Sequence, residues 1–370
     1  MDLKFLNNCI QKISIEMTNV CNLNCKGCFL TGLKKNESIP FIRSDHFFSL
    51  ILFKRLIKQL GVFNNFNDIR INLSGGEPFL NPEIFDILKE AKRNRIKLVV
   101  FTNGSLLNKN SILKLIKNQT FALMFSIDGT RIEHDYNRGK GNFDRLFKVI
   151  EVLELEKKNA FSVFPQLTVN TLISKLNINS FDGIIPLVKK FNFHTIAFSL
   201  VQWSDSLIIK KSISEILKRF GSFSERINII KGINHGLGNL KQREIKVLVN
   251  SIKSIKQDLV GKSEMDFCFF PDFSSEIEFE RWFSKGVYRI DKCSTIFEQI
   301  RIDYNGDVFP ACSVPFYKLG NIYNEPLLEI LNGKTALHLY KEIKKNGFFY
   351  LCQRCCRRSP ESITLEEKND

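Results

Sequence analysis

No stretch of this chain reaches the 18 or more apolar residues that a bilayer-spanning helix requires. The opening run, Met1-Asp-Leu-Lys-Phe-Leu-Asn-Asn, has an acidic residue and lacks a long apolar segment, so no secretory signal is expected. A compact arginine-rich stripe is missing too. The formal net charge is +15, but Lys109, Lys114 and Lys117 typify lysines scattered over helix faces. That balance favours anionic partners without indicating nucleic acid. Without a secretory signal, clustered cysteines suggest metal ligation rather than disulfides, and a cytoplasmic protein is expected.

Ten cysteines are present, and three stand in the run Cys21-Asn-Leu-Asn-Cys25-Lys-Gly-Cys28. Here too something is missing: the run has no fourth cysteine, and the nearest histidine is His46. Three thiolates at C-x3-C-x2-C spacing can hold three corners of an iron–sulfur cubane, which ordinarily takes one cysteine per iron. The fourth iron would then be open to another ligand. Two other readings stay open. Thiolates also bind zinc, although a structural zinc site needs a fourth ligand close by. Free cysteines can also simply be core residues. The 44% hydrophobic content permits a sizeable core, and the 34 phenylalanines read first as compositional bias.

Apolar runs alternate with helix-period segments. Strands are predicted at residues 13–18, 68–73, 97–101, 121–125, 166–172 and 194–200. Helices are predicted at residues 47–60, 82–94 (with Asn81 as N-cap), 108–118, 143–158 and 184–191. This pattern predicts an α/β protein with a parallel sheet and right-handed crossovers. The polar motifs Ser74-Gly-Gly-Glu-Pro78, Thr102-Asn-Gly104 and Ser126-Ile-Asp-Gly129 each follow a strand. That is the functional face of a parallel α/β barrel. Six units are too few to close eight, so a partial (β/α)6 TIM-type barrel with a side opening is expected over residues 1–202. Residues 203–290 read as a helical connecting segment, with amphipathic helices at 213–220 and 243–259. Gly232-Ile-Asn-His-Gly-Leu-Gly238 follows no convincing strand and is not read as a phosphate loop. Asp205 and Gln202 follow the sixth strand, and no role is assigned to either.

Residues 291–370 form a small cysteine-rich region. A hairpin is expected at 300–308, with Asn305-Gly306 as a type I′ turn. Cys293 and Cys312 flank it, and Cys352-Gln-Arg-Cys355-Cys356 follows. Four of these thiols can hold a second cluster or a zinc ion.

Taken together, the C-x3-C-x2-C run, Gly-Gly-Glu-Pro, Thr-Asn-Gly and Ser-Ile-Asp-Gly resemble the radical S-adenosylmethionine (SAM) enzymes. The C-terminal cysteines resemble the SPASM/Twitch auxiliary domain of one branch. The resemblance implies a 4Fe-4S cluster on Cys21, Cys25 and Cys28, with SAM on the open iron. It puts Gly75, Gly76 and Glu77 at the SAM amino group, Ser126 at its ribose or carboxylate and Arg138 at its carboxylate. Asp128 and Asn103 line the site or shape its turns. It further implies one auxiliary 4Fe-4S cluster on Cys293, Cys312, Cys352 and Cys355, leaving Cys9, Cys268 and Cys356 without a role. A low-potential electron donor such as flavodoxin or ferredoxin is the expected partner. Two features depart from the pattern. Gly27 stands where many members have an aromatic residue near adenine, with Phe29 after the cysteine. No cysteine follows Cys356, so a second auxiliary cluster is not expected.

The single-auxiliary-cluster pattern resembles the members of this family that oxidise an aminocyclitol alcohol, and that resemblance implies an oxidoreductase taking hydrogen from a polar small molecule, in sugar- or cyclitol-type dehydrogenation. The alternatives are a peptide or protein maturase forming thioether or carbon–carbon crosslinks, and a non-catalytic iron–sulfur carrier or scaffold. With only 20 residues before Cys21, a fused peptide-binding domain is not expected.

Overall fold

The computed structural model describes residues 10–28, 30–31, 46–63, 65–202, 205–221, 237–259, 265–273, 276–283, 290, 293–311 and 317–355. Cys9, Phe29, Cys312, Cys356 and most of the Gly232–Gly238 segment lie outside them.

Six strands match the sequence reading: β1 (Lys12–Glu16), β2 (Arg70–Ser74), β3 (Leu98–Thr102), β4 (Ala122–Ser126), β5 (Gln166–Ile173) and β6 (Thr195–Leu200). Four more join them in one sheet: β7 (Asp266–Phe270), β8 (Gln299–Ile302), β9 (Asp307–Pro310) and β10 (Gly320–Asn321). The strand order is β10-β9-β8-β1-β2-β3-β4-β5-β6-β7. All pairs from β8 through β1 to β7 are parallel, and only β9 and β10 pair antiparallel. The sheet is therefore an open, partial barrel, but it does not stop at residue 202. β7 lies inside the segment read as helical, and β8 docks the C-terminal hairpin onto β1. Neither pairing has a local sequence signal, because each partner is distant along the chain.

The helices are α1 (Leu50–Leu60), α2 (Ile84–Arg93), α3 (Lys109–Lys117), α4 (Arg131–Arg138), α5 (Asn142–Asn159), α6 (Ile185–Lys190), α7 (Ser206–Phe220), α8 (Gln242–Leu259) and α9 (Glu276–Phe283). Three more follow: α10 (Thr295–Glu298), α11 (Leu327–Asn332) and α12 (Lys334–Asn346). Local chemistry explains their ends. In α1 the Ser49 side chain accepts from Leu52 N, and in α3 Asn108 and Ser111 form a reciprocal capping box. α1 buries Leu52, Phe53, Leu56 and Leu60 completely against the sheet. Each such side chain contributes about 1.5–3 kcal/mol by leaving water.

Two local expectations are corrected. Asn81 is not the N-cap of α2, which is Glu83; instead its amide donates to Phe48 O at 2.8 Å and accepts from Glu83 N at 2.9 Å. The hairpin turn is not type I′, because only Gly306 has a positive φ, at 81°. The Asp303 carboxylate organises that turn, accepting from Asn305 N at 2.9 Å and Asp307 N at 3.0 Å. Asp205, assigned no role in the sequence reading, is the N-cap of α7, accepting from Ile208 N at 2.8 Å.

Candidate cofactor site

The cysteine run leaves β1 and is held by backbone contact with the loop after β2. The ladder continues past the strands: Met17 N donates to Ser74 O at 2.8 Å, Gly76 N to Thr18 O at 2.8 Å and Glu77 N to Val20 O at 2.9 Å. This contact explains the paired glycines. Gly75 has a φ of +117°, and a Cβ there would clash with Thr18 O; a Cβ on Gly76 would clash with Val20 O. The two glycines thus let the β2 loop lie directly on the segment that leads into Cys21.

Glu77 is almost fully buried, at 1% exposure. Its carboxylate accepts from Thr102 Oγ1 at 2.8 Å, Asn103 N at 2.9 Å and Phe79 N at 3.2 Å. Burial pushes its carboxyl pKa up, and these donors work against that shift. Asn103 extends the connection to the cysteines, with its amide nitrogen 3.0 Å from Asn22 Oδ1 and 3.9 Å from Cys21 Sγ. Thus Glu77, the end of β3 and the cysteine run form one unit.

The other side of the run rests on α4, a helix the sequence reading left unassigned. It is short and polar, with only His134 and Asn137 buried, so it has little apolar period to detect. Arg138, in its last turn, grips Asp128 with two nitrogens: Nε lies 2.7 Å from Oδ2 and Nη2 3.2 Å from Oδ1. Its third nitrogen, Nη1, lies 3.9 Å from Cys25 Sγ. Burial alone would raise the Asp128 carboxyl, but Arg138 outweighs it and holds the group below the usual carboxylate range. Burial, together with Arg138, pushes His134 down to about 4, so the imidazole is neutral near pH 7. Asn137 also grips the run: its Oδ1 accepts from Gly27 N at 2.9 Å and its carbonyl from Lys26 N at 3.0 Å. Only the structure reveals Asn137; its one sequence signal is adjacency to Arg138.

Cys25 is buried, while Cys21 and Cys28 are half-exposed. Burial pushes the Cys25 thiol up to about 11. A nearby iron would reverse that, since coordination deprotonates a thiol outright. Among the described residues, no three metal-ligating side chains converge on a single-ion position. A cubane takes its thiolates at separate corners. The donor set and its half-open face suit such a cluster.

Ser126 closes β4, half-buried, and pairs in register with Asn170. The face of the sheet turned away from the main core mixes polar side chains with apolar ones, Val99, Phe101, Ala122 and Met124 among them. Ser14 stands in register with Asn72 on β2 and Arg301 on β8. Arg301 Nη1 lies 3.3 Å from Glu16 Oε1, their side chains 15% and 14% exposed. Ser199 Oγ donates to Asn170 Oδ1 at 2.7 Å. Asn72 is buried, and its Oδ1 has no partner among the described residues.

The C-terminal thiols Cys293, Cys352 and Cys355 are all buried. Cys352 lies in the 3-10 turn Tyr350–Arg354, and Cys355 caps it. Tyr350 N donates to Glu215 Oε2 on α7 at 3.0 Å, which docks the turn on that helix. Cys312, the fourth expected ligand, is outside the described residues.

The Radical SAM superfamily profile matches residues 15–173, and the iron–sulfur cluster-binding SPASM profile matches residues 293–356. Together they span more than half of the chain. This chain is a radical SAM enzyme with a SPASM domain. Its cofactors are accordingly 4Fe-4S clusters and SAM. The radical SAM enzyme is 28% identical over 224 residues to the S-adenosylmethionine-dependent nucleotide dehydratase of Psychrobacter lutiphocae, covering 58% of this chain and 74% of that one. It is 24% identical over 367 residues to the cysteine-type anaerobic sulfatase-maturating enzyme of Clostridium perfringens, covering 92% and 87%. Among solved structures, Streptococcus suis SuiB bound to S-adenosylmethionine superposes with a TM-score of 0.63 at 16% identity, covering 95% of this chain and 74% of that one. That likeness shows the fold. No helix among the described residues is long and apolar enough to cross a membrane.

Proposed function

We propose that this radical SAM enzyme dehydrogenates a polar small molecule, of sugar or cyclitol type, held inside the partial barrel: one hydrogen atom would pass to the 5′-deoxyadenosyl radical, the hydroxyl proton to a base, and the remaining electron to the auxiliary cluster. The observation that carries this reading is a set of polar and charged side chains on the sheet face turned away from the main core. A paired Glu16 and Arg301, Asn72 Oδ1 (unpartnered among the described residues) and the Asn170–Ser199 pair offer donors and acceptors to a hydroxyl- or amine-bearing substrate.

In this reading Cys21, Cys25 and Cys28 hold the radical cluster. When bound, the reduced cluster and SAM supply a 5′-deoxyadenosyl radical able to attack an unactivated C–H bond. Gly75 and Gly76 bring their backbone to the SAM amino group, and the Glu77 carboxylate, fixed by three hydrogen bonds, faces it. Ser126 serves the ribose or carboxylate. The auxiliary cluster lies on Cys293, Cys312, Cys352 and Cys355. An acidic low-potential carrier such as flavodoxin or ferredoxin suits the basic chain as electron donor.

A second reading, peptide or protein maturation, is favoured by the nearly full-length match to the sulfatase-maturating enzyme. One experiment separates the two. The reconstituted enzyme, SAM and dithionite are incubated with a panel of aminocyclitols and sugars, or with peptides, and 5′-deoxyadenosine and substrate mass are read. Substrate-stimulated 5′-deoxyadenosine with loss of two hydrogens from a small molecule is expected. The same signature confined to peptides overturns the first reading in favour of the second. No release of 5′-deoxyadenosine from a cluster-loaded chain sinks both.

A further inference from the structure

We propose that Asp128, Asn137 and Arg138 form a clamp on the cysteine run, in which Asp128 holds the Arg138 guanidinium against the Cys25 sulfur, so that Arg138 sets how readily the cluster there is reduced. The inference rests on the reading that Cys21, Cys25 and Cys28 carry that cluster. It gives Arg138 a different main duty from pairing with the SAM carboxylate.

The geometry leaves the guanidinium little freedom. Nε and Nη2 are both committed to Asp128, at 2.7 and 3.2 Å. A planar fork held at two nitrogens has a fixed third direction. That third nitrogen, Nη1, lies 3.9 Å from Cys25 Sγ. Asp128 is itself held, accepting from Asn137 Nδ2 at 2.5 Å and sitting at 3% side-chain exposure. Asn137 then ties the clamp to the residues between Cys25 and Cys28 through Lys26 N and Gly27 N. The helix that carries Asn137 and Arg138 is anchored at its exit, where the Asp135 carboxylate accepts from Gly141 N at 2.7 Å and Phe143 N at 2.8 Å.

The consequence is electrostatic. Adding an electron to a thiolate-ligated cluster adds negative charge, and a nearby cation in a low-dielectric setting favours that state. Asp128 lies on the far side of the guanidinium from the sulfur, so it offsets the cation only in part. Removing Arg138 therefore makes the cluster harder to reduce. The residue acts on the ligand rather than on substrate, which makes it a positioning residue.

The test uses the full-length, reconstituted protein without substrate. The midpoint potential is followed through the EPR signal that SAM perturbs, and iron loss to a chelator is timed. Arg138→Gln is expected to make one-electron reduction about tenfold less favourable, about 59 mV. Arg138→Lys should recover most of that shift. Arg131→Gln removes an exposed cation from the same helix, paired with Asp144, and should shift the equilibrium less than about twofold. Asn137→Ala should speed iron loss about tenfold or more, the order of effect when a hydrogen bond that supports a metal ligand is removed. The proposal is overturned if Arg138→Gln keeps the parent potential, including the case where SAM affinity alone falls and the arginine belongs to the cofactor's carboxylate. Should Arg138→Gln not fold, parent values for both Arg138→Lys potential and Asn137→Ala iron loss overturn it. Failure of the functional reading looks different: the parent protein, cluster loaded, would release no 5′-deoxyadenosine from SAM.

Discussion

The two cysteine regions of this enzyme are built in opposite ways. Cys21, Cys25 and Cys28 sit on a loop gripped by polar groups, with two of the three thiols half-exposed. Cys293, Cys352 and Cys355 are all buried, and the turn carrying Cys352 rests on α7 by a charged contact. Glu215, which receives Tyr350 N, is itself paired with Arg219 at 2.7 Å, both side chains under 10% exposed. Arg219 in turn donates to Gly347 O at 2.7 Å. The difference suits two duties. A loop that must present metal to a second ligand needs an open face and external positioning. Thiols with no such ligand to admit can be enclosed by packing.

The sharpest way to break the comparison is at the thiols. Cys25→Ala should abolish 5′-deoxyadenosine release while retaining about four irons of an expected eight or so, measured by metal analysis and chromatography. Full release in that variant would remove the run from the site. Cys352→Ser should do the reverse, preserving SAM cleavage but losing substrate turnover. Retained turnover would leave the buried thiols a structural role only.

The backbone contacts come next. Gly76→Ala places a Cβ against Val20 O and should cost about 3 kcal/mol or more by displacing the cysteine loop. Cluster loading should fall with it, and normal loading would show that the loop tolerates the shift. Glu215→Ala should cost about 3 kcal/mol, because Arg219 is left buried and unpaired. In a denaturant titration the C-terminal turn should loosen while SAM cleavage persists; equal loss at both ends would mean the regions do not act separately.

The last expected effect is a pH dependence, negligible near pH 7 and full only at the acid end of its window. The His134 pKa falls from an ordinary 6.5 to about 4 on folding. Between those values the unfolded chain binds the extra proton, so stability falls as pH drops through that window. The size is about 3 kcal/mol at full effect, read from thermal midpoints between pH 7 and 4. His134→Gln should flatten the profile. Asp128 acts lower: its depressed pKa contributes stability above its ordinary value of 3.8, lost as pH falls below it.

Much of this was readable one segment at a time. Strands β1 to β6 have their own apolar alternation, and the motifs behind them are contiguous runs, so Cys21, Gly75, Glu77 and Asn103 could be found without tertiary information. β7 and the pairing of β8 with β1 were not readable. A five-residue strand such as Asp266–Phe270 becomes part of a parallel sheet only when β6 lies alongside it. Helix α4 escaped because its eight residues carry little apolar period. Asn305 read as half of a type I′ turn because the carboxylate that organises the turn, on Asp303, acts through hydrogen bonds rather than composition.

Residue order is enough to set which chemistry is possible: thiols at C-x3-C-x2-C spacing, and glycines where the backbone must come close. Residue types and short spacings set these, because they need only neighbours in the chain. Tertiary structure alone decided what each charged group faces. Asp128 and Arg138 are ten residues apart, yet their pairing and the approach to Cys25 exist only once α4 packs beside the end of β4. Electrostatic effects depend on distance and burial, and neither is defined until the chain has folded.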